Sequence, residues 1–195
     1  MIMKEMISEV CRSCLALACL VILLCGIYPA LVWVIAQGLY PFQANGSLVT
    51  VKGQVMGSVL LAQRFTGPAY FHPRPSAAGG GYDGANSGGS NLGPTSAKLI
   101  ALVKDRVAVY REENQLAPGV LIPVDAVTAS ASGLDPHISI ENALLQATRV
   151  ARVRGLSPPA IRQMIGNHRS DRALGIFGEP GVNVLLLNLE LEKKR

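Results

Sequence analysis

Cysteine is missing from most of this 195-residue sequence. Cys11, Cys14, Cys19 and Cys25 all lie at or within one apolar run near the amino terminus. That pattern excludes a disulfide framework and a thiol-based site from Gln37 onward. Charge is missing as well: between Ser13 and Val51 no residue carries charge of either sign. No Gly-x-x-x-x-Gly-Lys sequence occurs, so the chain lacks the lysine-bearing phosphate loop of P-loop nucleotide hydrolases.

Inside the uncharged stretch, Cys14 to Ala36 reads CLALACLVILLCGIYPALVWVIA. At about 1.5 Å per residue such a run crosses a hydrocarbon core of roughly 30 Å. A helix satisfies every backbone polar group along the way. The reading is one transmembrane helix over residues 13–38, kinked near Pro29, with Trp33 and Tyr40 toward an interface. A cleaved signal peptide would have a shorter apolar region and a small-residue cleavage site. A lipoprotein cysteine at Cys19 or Cys25 is disfavoured, because the apolar run continues past both. Lys4 and Arg12 precede the span, so the positive-inside bias puts residues 1–12 in the cytoplasm and residues 39–195 outside it. The formal charge of +5 belongs to that outer domain, since Lys4 and Arg12 offset Glu5 and Glu9.

Residues 39–195 are enough for one domain with its own core. Asn45-Gly46 signals a turn. Val55 to Phe65 reads as a strand. The proline-bearing stretch TGPAYFHPRPSA follows as an extended loop. Its His72 is either a metal ligand or base, or a loop histidine bonded locally; a lone histidine lacks the partners of a metal site. No metal site is expected. Gly79-x-Gly81-x-x-Gly84 matches a dinucleotide fingerprint by letters only, because it neither follows a strand nor opens a helix. Gly79–Gly93 reads instead as a close-packed glycine loop, with Gly88, Gly89, Ser90 and Asn91 as candidates for meeting a partner's backbone.

Thr95 or Ser96 caps a helix that runs to about Asn114, with Leu99, Leu102, Val103, Val107 and Tyr110 on one face. Val124–Ser130 reads as a strand. Asp135, His137 and Ser139 invite a catalytic reading, but triads are assembled from separated segments. The alternative is that Asp135-Pro136 turns and Ser139 caps a helix over Ile140–Arg154, ended by Gly155. Ser157-Pro158 opens a further helix. Between Arg149 and Arg172 six arginines face one acid, Asp171. That segment is either a solvated helix surface or a face for lipid head groups, phosphate or an acidic partner. VNVLLLNLEL, from Val182, reads as the strongest strand of the domain. The expected fold class is α+β: a single N-terminal transmembrane helix, then one extracytoplasmic domain with a small sheet and about three helices.

The sequence blocks taken together carry more than any one motif. A lone amino-terminal span that ends in YP is followed by PFQANGSL, GSVLLAQRFTGPAYFHPRPSA, SGGSNLGPTS, DAVTASASGLDPHIS, RVARVRGL and GEPGVNVLLLNLEL. In this order they resemble the C subunit of Kdp-type potassium-transporting ATPases along nearly the whole chain. The resemblance implies a bacterial inner-membrane subunit. Its implied partners are a potassium-translocating channel-like subunit, a P-type ATPase subunit and membrane lipid, with no nucleic acid. It also implies a catalytic-chaperone role that raises the ATP affinity of the pump subunit. The glutamine of the helix after the DPHIS-type loop would then touch nucleotide; here that is Gln146, with Arg149 one turn on. No tightly bound cofactor is implied, only ATP shared with the pump subunit. The residues agree with a non-catalytic part. A P-type pump phosphorylates the aspartate of Asp-Lys-Thr-Gly, which this chain lacks. One span without an acid cannot enclose a gated ion path. Ala16, Gly26 and Ala30 are the small residues expected to face a partner helix. Docking over the outer mouth of the channel-like subunit suits the expected topology. The rival readings are a membrane-anchored envelope hydrolase using His72, Asp135, His137 or a loop serine, and a stand-alone glycan- or lipid-binding module.

Overall fold

The computed structural model describes residues 2–194. Contacts divide the chain into two units, Met1–Leu48 and Val49–Arg195.

In the first unit, α1 (Ile2–Val21), a π-helical segment (Ile22–Ile27) and α2 (Tyr28–Leu39) follow one another without a break. Met3–Leu39 is long and apolar enough to cross a membrane, with a mean hydropathy of 2.6 in its most apolar window. The helix thus starts earlier than the predicted span, and the predicted tail is helical from Ile2. Met1 and Arg195 lie outside the described residues. Just before Pro29, where a kink was expected, the helix is π-helical over Ile22–Ile27. Proline removes an N–H, and its ring crowds the carbonyl four residues back. A wider turn relieves that contact, and the Tyr28 N–H reaches back to the Leu23 carbonyl. The short α3 (Pro41–Ala44) follows.

A two-stranded ribbon, β1 (Leu48–Val51) and β2 (Gln54–Ser58), begins at the boundary residue Leu48 and runs into the second unit. The predicted strand over Val55–Phe65 therefore ends early. The Ser58 hydroxyl accepts from the Leu60 N–H at 3.1 Å, and the Ser58 carbonyl from the Leu61 N–H at 3.3 Å. These bonds turn the chain out of the ribbon. No regular element then occurs until α4 (Ala97–Asn114), capped by Ser96. The predicted strand over Val124–Ser130 is instead a single helical turn, α5 (Val124–Val127), opened by Pro123.

The remaining elements are β3 (His137–Ile138), α6 (Ile140–Arg154), α7 (Pro158–Asn167), β4 (Arg169–Ser170), β5 (Gly181–Asn183) and α8 (Val184–Lys193). Ser139 and Ser157 cap α6 and α7, and Gly155 closes α6 at φ 66°. The predicted terminal strand is a strand for only three residues. Asn183 then caps a helix, its side-chain oxygen accepting from the Leu186 N–H at 3.1 Å. Among the described residues the domain has four helices of ten or more residues, where about three were expected. The fold class is as expected: mixed helix and sheet after one apolar N-terminal helix.

The small sheet is antiparallel in the order β3-β5-β4. Ile138 sits opposite Val182, and Val182 opposite Arg169. Ile138 and Val182 join Ala143, Ala147 and Val150 of α6, Ile161, Met164 and Ile165 of α7, and Val184, Leu187 and Leu191 of α8 in one core. Burying side chains of this kind contributes roughly 1.5–3 kcal/mol for each large apolar one. Phe71, fully buried, enters this core from the irregular loop.

Candidate functional site

The loop from Pro68 to His72 has no strand partner, yet it is held at every residue. Side chains on two helices replace the missing ladder. The Asn188 carboxamide on α8 accepts from the Phe71 N–H at 2.8 Å and donates to the Phe71 carbonyl at 2.9 Å. One residue on, Gln146 of α6 accepts from the His72 N–H at 2.7 Å and donates to the His72 carbonyl at 3.1 Å. Arg149 donates from Nη1 to the carbonyls of Pro68 and Tyr70, at 2.6 and 2.9 Å. Arg154 donates from Nε to the Ala69 carbonyl at 2.7 Å, and its guanidinium lies 4.8 Å from the centre of the Tyr70 ring. Buried backbone groups must find partners, and here amides and guanidinia supply them.

Asn142, Gln146 and Arg149 follow one another along one face of α6 and form a continuous network. Asp125 of α5 accepts from the Ser139 N–H, the Ser139 hydroxyl and Asn142 Nδ2, each at 2.8 Å. Asn142 Oδ1 accepts from the Tyr110 hydroxyl at 2.7 Å and from Gln146 Nε2 at 2.8 Å. Gln146 Oε1 also accepts from Arg149 Nη2 at 3.0 Å, and Arg149 Nε donates to Asn114 Oδ1 at 3.0 Å. Gln146 therefore has both amide hydrogens and two oxygen bonds engaged while only 1% exposed. Burial raises the Tyr110 phenol well above its ordinary range, which keeps it a donor. Burial also lowers the Arg149 pKa, against the pull of Glu113.

His72 links this network to α4. Its Nε2 lies 3.1 Å from the Gly67 carbonyl and its Nδ1 lies 3.5 Å from Glu113 Oε2. Burial first and the Arg149 charge second push its pKa below the ordinary histidine value. His72, Tyr110, Glu113 and Gln146, with Tyr82 and Asp105, line a cavity of about 300 Å³ between the loop and α4. Gln146 lines it; Arg149 borders a smaller pocket of about 110 Å³ with Pro68 and Glu113.

Other predicted residues are placed as follows. Asp135 accepts from Arg74 Nη1 at 3.0 Å and from the His137 N–H at 3.0 Å. Burial works against the Asp135 carboxylate, but the His137 and Arg74 contacts together hold its pKa below the usual range. Ser139, next but one to His137, directs its hydroxyl to Asp125 and caps α6. Asp135 and Ser139 are thus engaged in turn and cap bonds, and the His137 ring lies with Nδ1 3.7 Å from Asp135 Oδ1. Among the described residues no group of three or more His, Cys, Asp or Glu side chains converges as a metal site would. Gly88 and Gly89 are half-buried against residues 131–132: the Gly88 N–H donates to the Ser132 carbonyl at 2.9 Å, and a Cβ at Gly89 would meet the Ala131 carbonyl at 2.9 Å. Ser90 and Asn91 are exposed, as are Ala16, Gly26 and Ala30 on the apolar helix. In the arginine-rich segment, Arg149 is buried and the Arg154 side chain nearly so, whereas Arg169 and Arg172 lie at the surface. Asn188, which sequence reasoning did not single out, is the second loop-holding residue; its spacing from Val184, Leu187 and Leu191 on a helical period was the available signal.

Comparison with known proteins gives the same assignment as the sequence blocks. Residues 10–193 match the family described as K+-transporting ATPase, c chain. The chain is 53% identical over 167 residues to the potassium-transporting ATPase KdpC subunit of Mycobacterium bovis, covering 86% of this chain and 88% of that one. It is 51% identical over 190 residues to the subunit of the same name from Nitratidesulfovibrio vulgaris, covering 96% and 95%. The Rhodospirillum rubrum subunit is 51% identical over 186 residues, covering 94% and 95%. With a family match over nearly its whole length, the chain belongs to the KdpC family of potassium-transporting ATPase subunits.

Proposed function

We propose that this chain is the accessory, non-catalytic subunit of an ATP-driven, high-affinity potassium uptake pump. It sits in a bacterial inner membrane by its single apolar helix, amino terminus in the cytoplasm and domain in the periplasm. Its partners are a potassium-translocating channel-like subunit and a P-type ATPase subunit. The observation that carries this reading is the family match over residues 10–193. The absence of an Asp-Lys-Thr-Gly sequence from the chain supports the non-catalytic part. The finer role is to stabilise the complex and to raise the affinity of the ATPase subunit for ATP, with ATP shared rather than tightly held by this chain. Gln146 and Arg149 are the residues proposed to meet nucleotide, a contact that, with the domain in the periplasm, needs ATP to reach the outer face of the membrane. Because the Gln146 amide is fully bonded to His72, Asn142 and Arg149, such a contact requires the loop at His72 to open.

The test is co-purification of the tagged chain with co-expressed pump subunits from detergent-solubilised membranes, followed by an assay of potassium-stimulated ATPase. Expected is recovery of both partners and loss of activity when this chain is omitted. Elution of the chain alone, or full activity without it, overturns the proposal.

A further inference from the structure

The link between β4 and β5 ends in a tip that a free-standing domain has no use for. Leu174, Ile176 and Phe177 are 88%, 73% and 65% exposed. Single exposed apolar residues are ordinary, but a cluster at one tip marks a contact surface. The tip is also rigidly built. Ala173 and Phe177 exchange both N–H···O bonds, at 2.8 and 2.9 Å, and the Gly175 and Ile176 N–H groups close on Arg172 and Ala173 at 3.1 and 3.2 Å. Leu174 adopts φ 53°, a left-handed conformation that costs a branched apolar residue free energy and that glycine would adopt without strain. The chain thus holds a leucine out to solvent where local stability favours glycine.

The charges around the tip identify the class of surface it meets. Arg169 pairs with Asp171 at 2.7 Å and Arg172 with Glu179 at 2.7 Å. The collar is therefore neutral in sum. A loop that seats in anionic lipid carries an unpaired basic surplus, whereas the centre of a protein interface is apolar and depleted of net charge. The family is that of one chain of a multi-subunit ATPase, which supplies a protein partner. We infer that Leu174, Ile176 and Phe177 form a knob that inserts into an apolar pocket on another subunit of the same pump. This inference rests on the proposed function.

The test places a photoreactive phenylalanine analogue at Phe177 in the full chain, co-expressed with the pump subunits in membranes. Illumination is expected to link the chain to one pump subunit. Leu174→Gly removes the apolar side chain while relieving the left-handed strain. It is expected to leave thermal stability unchanged or raised and to lower recovery of the partners about tenfold, the loss typical of an apolar anchor. Adducts with lipid, adducts with a second copy of this chain, no adduct, or Leu174→Gly complexes recovered at the parent level overturn the knob while the parent chain still co-purifies with its partners. Failure of the parent chain to co-purify overturns the proposed function, and the knob falls with it.

Discussion

Gln146 shows how one side chain decides the state of a whole loop. Gln146→Leu keeps the volume but leaves the His72 N–H and carbonyl without partners, and removes one bond each from Asn142 and Arg149. Each buried polar group so orphaned costs about 1–3 kcal/mol, and relaxation recovers part of it. The domain is expected to lose about 2–4 kcal/mol, read by thermal or denaturant unfolding. His72→Gln is expected to be mild by the same measure, because the latch uses the His72 backbone and a glutamine can still reach the Gly67 carbonyl. It serves as the control for pH. The charges facing His72 are Glu113 on α4 and Arg149 on α6. Burial and Arg149 lower its folded pKa, so the unfolded chain binds the proton more readily than the folded one. Stability from this group is complete above the unfolded value, about 6.5. It falls as pH drops below 6.5 toward the folded pKa. The unfolding midpoint of the parent chain should therefore decline over that window more steeply than that of His72→Gln. Equal slopes would remove His72 as the cause.

At the scale of elements, helices were legible where a cap and a 3.6-residue period coincided. Ser96, Ser139 and Ser157 each accept from the N–H three residues on, as their positions before apolar periods suggested. The strands were less legible, because their lengths are set by side chains rather than by alternation. The terminal segment misleads most. Val182 and Val184 alternate like a strand, yet Val184, Leu187, Asn188 and Leu191 are buried on a helical spacing. The switch lies at Asn183, whose side chain both caps α8 and donates to the Val59 carbonyl at 2.8 Å. Asn183→Ala removes both bonds and is expected to cost about 1–3 kcal/mol, checked by equilibrium unfolding. Asn183→Asp keeps the cap and loses only the Val59 bond, so it should recover part of the loss. If both variants unfold alike, the cap contributes nothing. Of the candidate site, Gln146 and Arg149 were reachable through the family resemblance. The helical spacing of Asn188 from Val184, Leu187 and Leu191 could have placed it on the buried face of α8. Its pairing with the Phe71 backbone could not be read, because a carboxamide-to-backbone bond to a distant loop leaves no pattern in a sequence.

Over the whole molecule, the two carboxamide latches tie the proposed nucleotide role to the stability of the domain. Asn188 and Gln146 hold adjacent residues of one loop, so loosening either favours the same opening. Only Gln146, however, is proposed to meet nucleotide once the loop has opened. A binding-competent state that is seldom populated lowers apparent affinity by its population, and a substitution that favours it raises affinity by the same factor. Asn188→Ala removes the Phe71 bonds and leaves Gln146 in place. In the assembled pump it is expected to lower the unfolding temperature of this subunit while decreasing the KM for ATP. Gln146→Leu opens the loop but removes the contacting amide, so it is expected to lower the unfolding temperature and increase the KM. Detergent-solubilised complex exposes both faces to nucleotide, which keeps membrane sidedness out of the comparison. Opposite shifts in KM alongside parallel losses of stability are what a direct nucleotide contact requires. If KM is unchanged in both variants and activity simply follows the amount of folded subunit, the network is a scaffold. Gln146 and Arg149 then serve the pump only by holding Pro68 to His72 in place.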